Sequence, residues 1–515
     1  MNRVDEQWVL RADEQRALDE RAVSCGIARD ALMESAGTNA ADWIERRRHP
    51  RRPVIVAGPG GNGGDALVVA RRLLDAGADV RAFCLVPIER CSEATRRMAD
   101  RYAAVGGTIR PTVDPSLGDA LDRADCVVDG LFGSGLSRPL GGEAMQVVER
   151  INACGAQVIS LDLPSGVASD RGDAIGPAIR AEITLAMAFL KPAHLLYPAA
   201  GQCGNTAMID VAYPETILRD AAPWARVCER SGIAHRLPPR RPDGHKGTFG
   251  RVLVVAGSIG MTGAAILCCR AAARAGAGLV HLAIPASLDP ILEAALPETI
   301  TIPIPDAAGR VEHLDDERLR DALSRADVVA VGPGLSRADE TMEAVADLLD
   351  RFSGPIVLDA DGLGALEGHP ERLDRLAERA ILTPHPGEFA ALVGGTPSEI
   401  DAERRDRAAT FAAEHRVVLV LKGRPTAIGL PDGTAFLNPT GHDGLATGGS
   451  GDVLTGLIAG FAAAGAVLAD AALTATYVHG LAAELFARGR SPRALLPTDL
   501  LDLLPRTLWE VERCG

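Results

Sequence analysis

At 515 residues the chain is too long for a single hydrophobic core, and its length predicts about two to four domains. Hydrophobic residues make up 47% and charged residues 24%, an ordinary globular balance, while a net charge of −14 argues against nucleic acid or an anionic membrane surface as the main partner. A phosphate-bearing ligand would then have to be held by local backbone dipoles, which directs attention to glycine-rich loops at helix starts.

In chain order, the N-terminus (MNRVDEQWVLRADEQ) lacks the apolar core of a signal peptide. Short β-like runs follow at 54–57, 80–86, 126–130, 157–162, 183–187 and 207–211, with helical patterns between them such as Asp65–Leu74 and Glu143–Ile151. This alternation predicts a parallel sheet wrapped by helices. The segment 223–245, with Pro223, Pro238, Pro239, Pro242 and several arginines, reads as a linker, and places a boundary near 225. A second series runs through 251–256, 279–284, 328–332, 355–359, 380–383 and 417–421 and closes with helices from Asp452 onward. The expected fold class is therefore α/β with two domains, an N-terminal Rossmann-like doubly wound sheet and a C-terminal α/β/α domain. The uncharged run Val453 to Ala469 falls short of the ~20 residues of a membrane span. It is also broken by Gly456, Gly460 and Gly465, and predicts a buried helix. The ten cysteines form no CxxC pair and read as small buried hydrophobes of a cytoplasmic protein. Only Lys191, Lys246 and Lys422 among the 54 basic residues are lysines, each beside Gly or Pro; in a chain that otherwise uses Arg, a retained Lys hints at a need for a compact ammonium.

After the run VIVA comes Gly58-Pro-Gly-Gly-Asn-Gly-Gly-Asp65, in which Gly58, Gly60 and Gly63 satisfy G-x-G-x-x-G between strand and helix. A dinucleotide-dependent dehydrogenase would place a ribose-binding acid at the end of the next strand. Here Glu89 arrives only after Pro87, and Asn62 and Asp65 are left unexplained. Two further loops follow strands, DGLFGSGLSR from Asp129 and DLPSG from Asp162. Asn62, Asp129, Asp162 and Ser165 would thus project at the carboxyl edge where doubly wound sheets bind ligands. Each acid alone reads equally well as a helix cap; together, as oxygen ligands, they suit a hard cation. GPGGNGGDA, DGLFGSGLSR and SLDLPSGV resemble the NAD(P)H-hydrate epimerase family in order and spacing across 1–222. The resemblance implies a potassium ion held by Asn62, Asp129 and Ser165. Substrate contacts would come from Gly61, Asn62, Gly63, Gly64 and Asp65 and from Gly133, Ser134, Gly135, Leu136, Ser137, Arg138 and Pro139. Asp162 would be the substrate-binding acid/base. Gly61 and Ala66 depart from that family's commoner Asn and Gly.

In the second series, GHDGLATGGSGD leads from Gly441 through Asp452 directly into an apolar helix. Consecutive amides at a helix start form an anion hole in which one donor contributes roughly 3 kcal/mol to a transition state. Asp452 reads either as a cap or as a general base beside that hole. His385, between two prolines, reads either as a structural residue in a stiff turn or as a ligand-facing imidazole. The GGSGD helix start resembles the ribokinase-like superfamily. HKGTFGRVLVVAGSIGMTGAAIL, RAGAGLVHLAIP, VGPGLS, DADGL, TPHPGEF and LKGRPT narrow the resemblance to the NAD(P)H-hydrate dehydratase family over 245–510. It implies nucleotide contacts from Lys422, Gly423, Arg424, Pro425 and Thr426, and from His442, Asp443, Gly444, Leu445, Ala446, Thr447, Gly448, Gly449, Ser450 and Gly451. Hydrate contacts are implied at Ala265, Gly334, His385, Pro386, Gly387, Glu388 and Asp452. The family's commoner Asn-Pro is replaced by His442-Asp443.

The resemblances together imply an epimerase domain over 1–225 and an ADP-dependent dehydratase over 226–515, acting on hydrated NADH and NADPH with Mg²⁺ on the nucleotide. A homo-oligomer is expected, with no nucleic-acid or membrane partner. Two other readings stand beside this one: a vitamin-precursor kinase for the second half, and a non-catalytic binding module for the first.

Overall fold

The computed structural model describes residues 5–173, 175–219 and 221–515. The chain divides into two units, one spanning Trp8–Trp224 and the other Ala225–Gly515 together with the segment that ends at Gln7. Residues 5–7 thus lie apart from the half to which a single cut near 225 assigns them.

The first unit is built on strands rich in Val and Ile, such as PVIVA at Pro53–Ala57 and CVVDG at Cys126–Gly130, buried along their whole length. Continuous apolar strands of this kind suit a parallel sheet covered on both faces. Seven parallel strands form it, in the spatial order Ile109–Pro111, Arg81–Cys84, Pro53–Ala57, Cys126–Gly130, Gln157–Leu161, Ile183–Met187, Asn205–Ile209. The winding direction reverses between Pro53–Ala57 and Cys126–Gly130, and the crevice at their carboxyl ends is the switch point of the sheet. The helix after the first of these is Gly61–Asp75, four residues longer at its start than apolar periodicity predicts, because its first turn is glycine and polar residues.

The second unit holds a parallel series in the order Thr299–Ile304, Leu279–Pro285, Arg251–Val255, Val328–Val331, Ile356–Leu358, Ala380–Leu382, Val418–Leu421. Two antiparallel strands, Ala427–Gly429 and Ala435–Leu437, extend it, and Ala225–Cys228 joins parallel to the last. The stretch read as a linker is thus partly regular structure: Ala225–Cys228 is a strand and Arg230–Arg236 a helix, with Val227, Cys228 and Ile233 buried among charged neighbours that mask the pattern. The run from Val453 forms the buried helix Ser450–Ala463, followed by a second helix at Leu468–Ala487. Among the described residues no helix is long and apolar enough to cross a membrane.

Candidate functional sites at two sheet edges

In the first unit the loops after Pro53–Ala57 and Cys126–Gly130 touch. A Cβ on Gly58 would lie 1.7 Å from the Leu131 carbonyl oxygen, and one on Gly63 1.9 Å from that of Gly58, so neither position can carry a side chain. A Cβ on Gly133 would meet Asp162 Oδ2 at 2.9 Å and the Asn62 amide carbon at 3.3 Å. The three loops singled out in the sequence therefore converge, with Gly61–Asp65, Gly133, Ser134 and Asp162 at one place. Ser137, Arg138 and Pro139 are exposed, farther along the same loop.

Asp162 is buried, with its backbone in the left-handed region (φ 62°). Its Oδ1 accepts a 2.5 Å hydrogen bond from Lys191 Nζ and its Oδ2 accepts from the Ser134 amide. Lys191 is fully buried and spends its other two donors on the Met187 and Phe189 carbonyls. Burial pushes the Asp162 carboxyl up, but the charge and hydrogen bond of Lys191 outweigh it and hold the group below the usual carboxylate range. His194 bonds the Asp162 backbone oxygen through Nε2, and burial together with the Lys191 charge brings it to about 4, so the imidazole is neutral. Asp65 runs the other way: burial and the nearby charges of Asp162 and Asp19 drive its carboxyl well upward. Two acids thus meet at one place, one carboxyl drawn down by Lys191 and the other driven up by burial.

Asp129 is fully buried and accepts from the Leu131 and Ser165 amides and from the Ser160 and Ser165 hydroxyls, yet burial outweighs these bonds and raises its carboxyl. Both polar atoms of the Asn62 amide are buried without a hydrogen-bond partner. A buried acid beside an orphaned amide oxygen is a donor set that fits a cation. The sequence missed Lys191 as a partner of Asp162, although its rarity pointed to it; Lys246, the third retained lysine's counterpart in that argument, is simply exposed.

In the second unit the loop Gly441–Gly449 turns into the helix Ser450–Ala463. The amides of Gly448, Gly449, Gly451 and Asp452 have no acceptor among the described residues, as an anion hole requires. Lys422, at the end of Val418–Leu421, donates to Asp359 Oδ1 at 2.7 Å and lies 3.8 Å from Glu388. A Cβ on Gly451 would sit 3.4 Å from Lys422 Nζ, so cation and hole are adjacent. The 422–426 turn is braced by the buried Arg404, which donates to the Pro425 carbonyl and packs on Gly423. Asp452 stands in the first turn of the helix; burial first and the charge of Asp359 second push its carboxyl to about 7, against the pull of Lys422.

Four residues expected to touch ligands also have structural surroundings that fix them. His442 Nδ1 accepts from the Gly444 amide while Nε2 faces the Ala483 carbonyl, so the imidazole shapes the loop from inside. His385 caps the helix Pro386–Val393, accepting from the Gly387 and Glu388 amides, while Glu388 reaches back to the His385 amide. Ala265 is fully buried and turned toward Gly257, so its methyl packs the interior. Gly334 (φ 63°) lies where a Cβ would meet Met261. Asp359 is the residue of this site that sequence reasoning named only within a string; a second acid in DADGL gave no reason to prefer the first.

A switch-point crevice where two acids meet, and a second α/β unit whose glycine-rich helix start sets an acid beside a lysine, are the marks of an enzyme with two sites. A family model of NAD(P)H-hydrate dehydratases matches residues 252–506, and one of YjeF-related protein N-termini matches 29–193. The bifunctional NAD(P)H-hydrate repair enzyme of Moorella thermoacetica is 39% identical over 98% of this chain and 97% of its own, and that of Thermofilum pendens 38% identical over 97% and 96%. The chain belongs to the family of bifunctional NAD(P)H-hydrate repair enzymes. Among solved structures, the ADP/ATP-dependent NAD(P)H-hydrate dehydratase of Bacillus subtilis co-crystallised with ATP/Mg²⁺ is 35% identical, covers 55% of this chain and 98% of its own, and gives a TM-score of 0.47.

Proposed function

We propose that residues 8–224 interconvert the R- and S-epimers of hydrated NADH and NADPH, and that the second unit dehydrates the S-epimer at the expense of ADP. Asp452 carries this reading: an acid near neutrality at the mouth of a hole of unpaired amides is equipped to deprotonate a hydroxyl facing a nucleotide phosphate. Asp452 takes the proton of the ring hydroxyl, whose oxygen displaces AMP from the terminal phosphorus of ADP. The ring nitrogen then expels phosphate from the same carbon, and loss of a proton from the neighbouring carbon restores the dihydropyridine. The amides of 448–451 hold the transferred phosphoryl group, and Lys422 a donor phosphate. Mg²⁺ would neutralise the nucleotide charge.

In the first unit Asp162 takes the proton of the ring hydroxyl as the bond from the hydroxyl-bearing carbon to the ring nitrogen opens to an aldehyde and the nitrogen gains a proton from Asp65; reclosure on the other face, with both protons returned, gives the second epimer. Asn62, Asp129 and Ser165 would hold potassium, which when bound supplies the positive charge that the buried Asp129 lacks. Because only one epimer can present its hydroxyl to Asp452, the first unit feeds the second.

A mixture of both epimers, supplied with ADP and Mg²⁺, is expected to return fully to reduced nicotinamide, with AMP and phosphate released. Return of only the S share would exclude the epimerase. A stable phosphate ester would identify a kinase instead. Asp452→Asn should lower turnover ~10²-fold or more, with ADP affinity nearly unchanged because the amides and Lys422 remain; near-normal repair would overturn the mechanism.

A further inference from the structure

We propose that Asp359 is a positioning residue of the dehydration site, which fixes Lys422 beneath the amide hole and ties that lysine to the helix turn bearing Asp452. The proposal rests on Asp452 being the base.

Asp359 leaves the end of the strand Ile356–Leu358 and is 1% exposed, so a ligand has almost no access to it. Each of its oxygens is committed. Oδ1 accepts from Lys422 Nζ at 2.7 Å, and Oδ2 accepts from Thr455 Oγ1 at 2.7 Å. Thr455 follows Asp452 by three residues in the helix Ser450–Ala463, on the same face. A Cβ on Gly451 would lie 3.4 Å from Lys422 Nζ and 3.7 Å from Asp359 Oδ2, so the pair sits directly under the amide that opens the hole. Its backbone is pinned as well. The Asp359 amide donates to Val331, its carbonyl accepts from Gly362, and a Cβ on Gly332 would collide with that carbonyl at 1.7 Å. One carboxylate thus joins three chain segments that are distant in sequence: the strand end, the Lys422 turn and the glycine-rich helix start.

The arrangement has an electrostatic consequence at Asp452. After burial, the charge of Asp359 is the strongest influence raising that carboxyl, Lys422 opposes it, and Asp361 adds a smaller push. The remaining titratable neighbours are silent near neutrality or act through Lys422. Cys268, from the helix Thr262–Arg274, is buried and pushed well up, so it stays a neutral thiol. His479, from Leu468–Ala487, is brought down to about 4 by burial and is neutral. Glu388 lies 3.8 Å from Lys422. Asp359 and Lys422 therefore steer the base in opposite directions, which a merely structural residue would not do.

The test is the pH dependence of kcat for the full chain on the S-epimer with saturating ADP and Mg²⁺. Asp359→Asn keeps an oxygen for Thr455, and should move the acid limb down by about one pH unit, the scale on which a single neighbouring charge acts. Lys422→Gln should move it up, and it carries the test alone if the first variant does not fold. A limb that stays in place in Asp359→Asn, or fails to rise in Lys422→Gln, overturns the proposal. Asp452→Asn separates the two claims. If it turns over at a near-normal rate, the base assignment falls and this inference with it; if it is slowed ~10²-fold or more while the other limbs do not move, only the role of Asp359 falls.

Discussion

Asp162 and Asp452 are both acids at the carboxyl edge of a sheet, but their surroundings drive them apart. Lys191 holds Asp162 ionised, while burial and Asp359 bring Asp452 to about 7. Asp162→Asn is expected to abolish epimerisation and leave ADP-dependent use of the S-epimer intact; consumption of both epimers above the spontaneous rate would exclude its role. Lys191→Met leaves a buried carboxylate unpaired, which costs about 3–5 kcal/mol, so thermal melts should show the first unit unfolding earlier and the second unchanged. For Asp452 the sign is reversed. Its folded value lies above the ~3.9 of an unfolded chain, so the folded state binds more protons between those values. Stability therefore falls as pH rises from about 4 to about 7 and levels off above. Dehydration follows the opposite course, rising through pH 7 as the base ionises. Asp452→Asn should then melt higher than the wild type at pH 8 while failing to turn over. The acids themselves were legible as strand-end and helix-start residues. Their partners were not: Lys191 and Asp359 lie 29 and 93 residues away in the chain from Asp162 and Asp452, and no local pattern links them.

At the scale of elements, the helix Ser450–Ala463 shows why its uncharged run carries glycines. A Cβ on Gly456 would lie 2.2 Å from the Cys268 carbonyl oxygen, and one on Gly460 2.6 Å from that of Ala272. The backbones of Ser450–Ala463 and Thr262–Arg274 therefore meet directly, which sets where the amide hole opens. Gly456→Val must part the two helices; overpacking of this kind costs about 3 kcal/mol. The variant should melt lower in its second unit and lose dehydration before epimerisation, and an unchanged melt would mean the helices have room to slide. Apolar runs revealed the central strands almost to the residue, as at Cys126–Gly130 and Ile183–Met187, because both faces are buried. The three-residue strands Ile109–Pro111 and Ala427–Gly429 left no such trace, although Ile356–Leu358 and Ala380–Leu382, equally short, did. The strand Ala225–Cys228 was hidden by the prolines and arginines around it.

On the scale of the whole molecule, residues 5–7 are bound into the second unit. The Asp5 carbonyl accepts from the Glu229 amide, Glu6 pairs with Arg226 and Arg236, and Gln7 donates to Glu229. A fragment starting at 226 loses these partners. It should still dehydrate the S-epimer with ADP, but melt below the second unit of the full chain; equal melting would show the segment to be dispensable. The same stitching orders events during synthesis. A ribosome delivers residues 5–7 ahead of Trp8–Trp224, and Ala225–Cys228 only after all of that unit has emerged. The first unit can close on itself while it is being made, but residues 5–7 must wait for a partner still to be translated. Docking of residues 5–7 onto Ala225–Cys228 therefore cannot precede synthesis of the whole of Trp8–Trp224, so a chain stalled inside the first unit holds these residues unpaired.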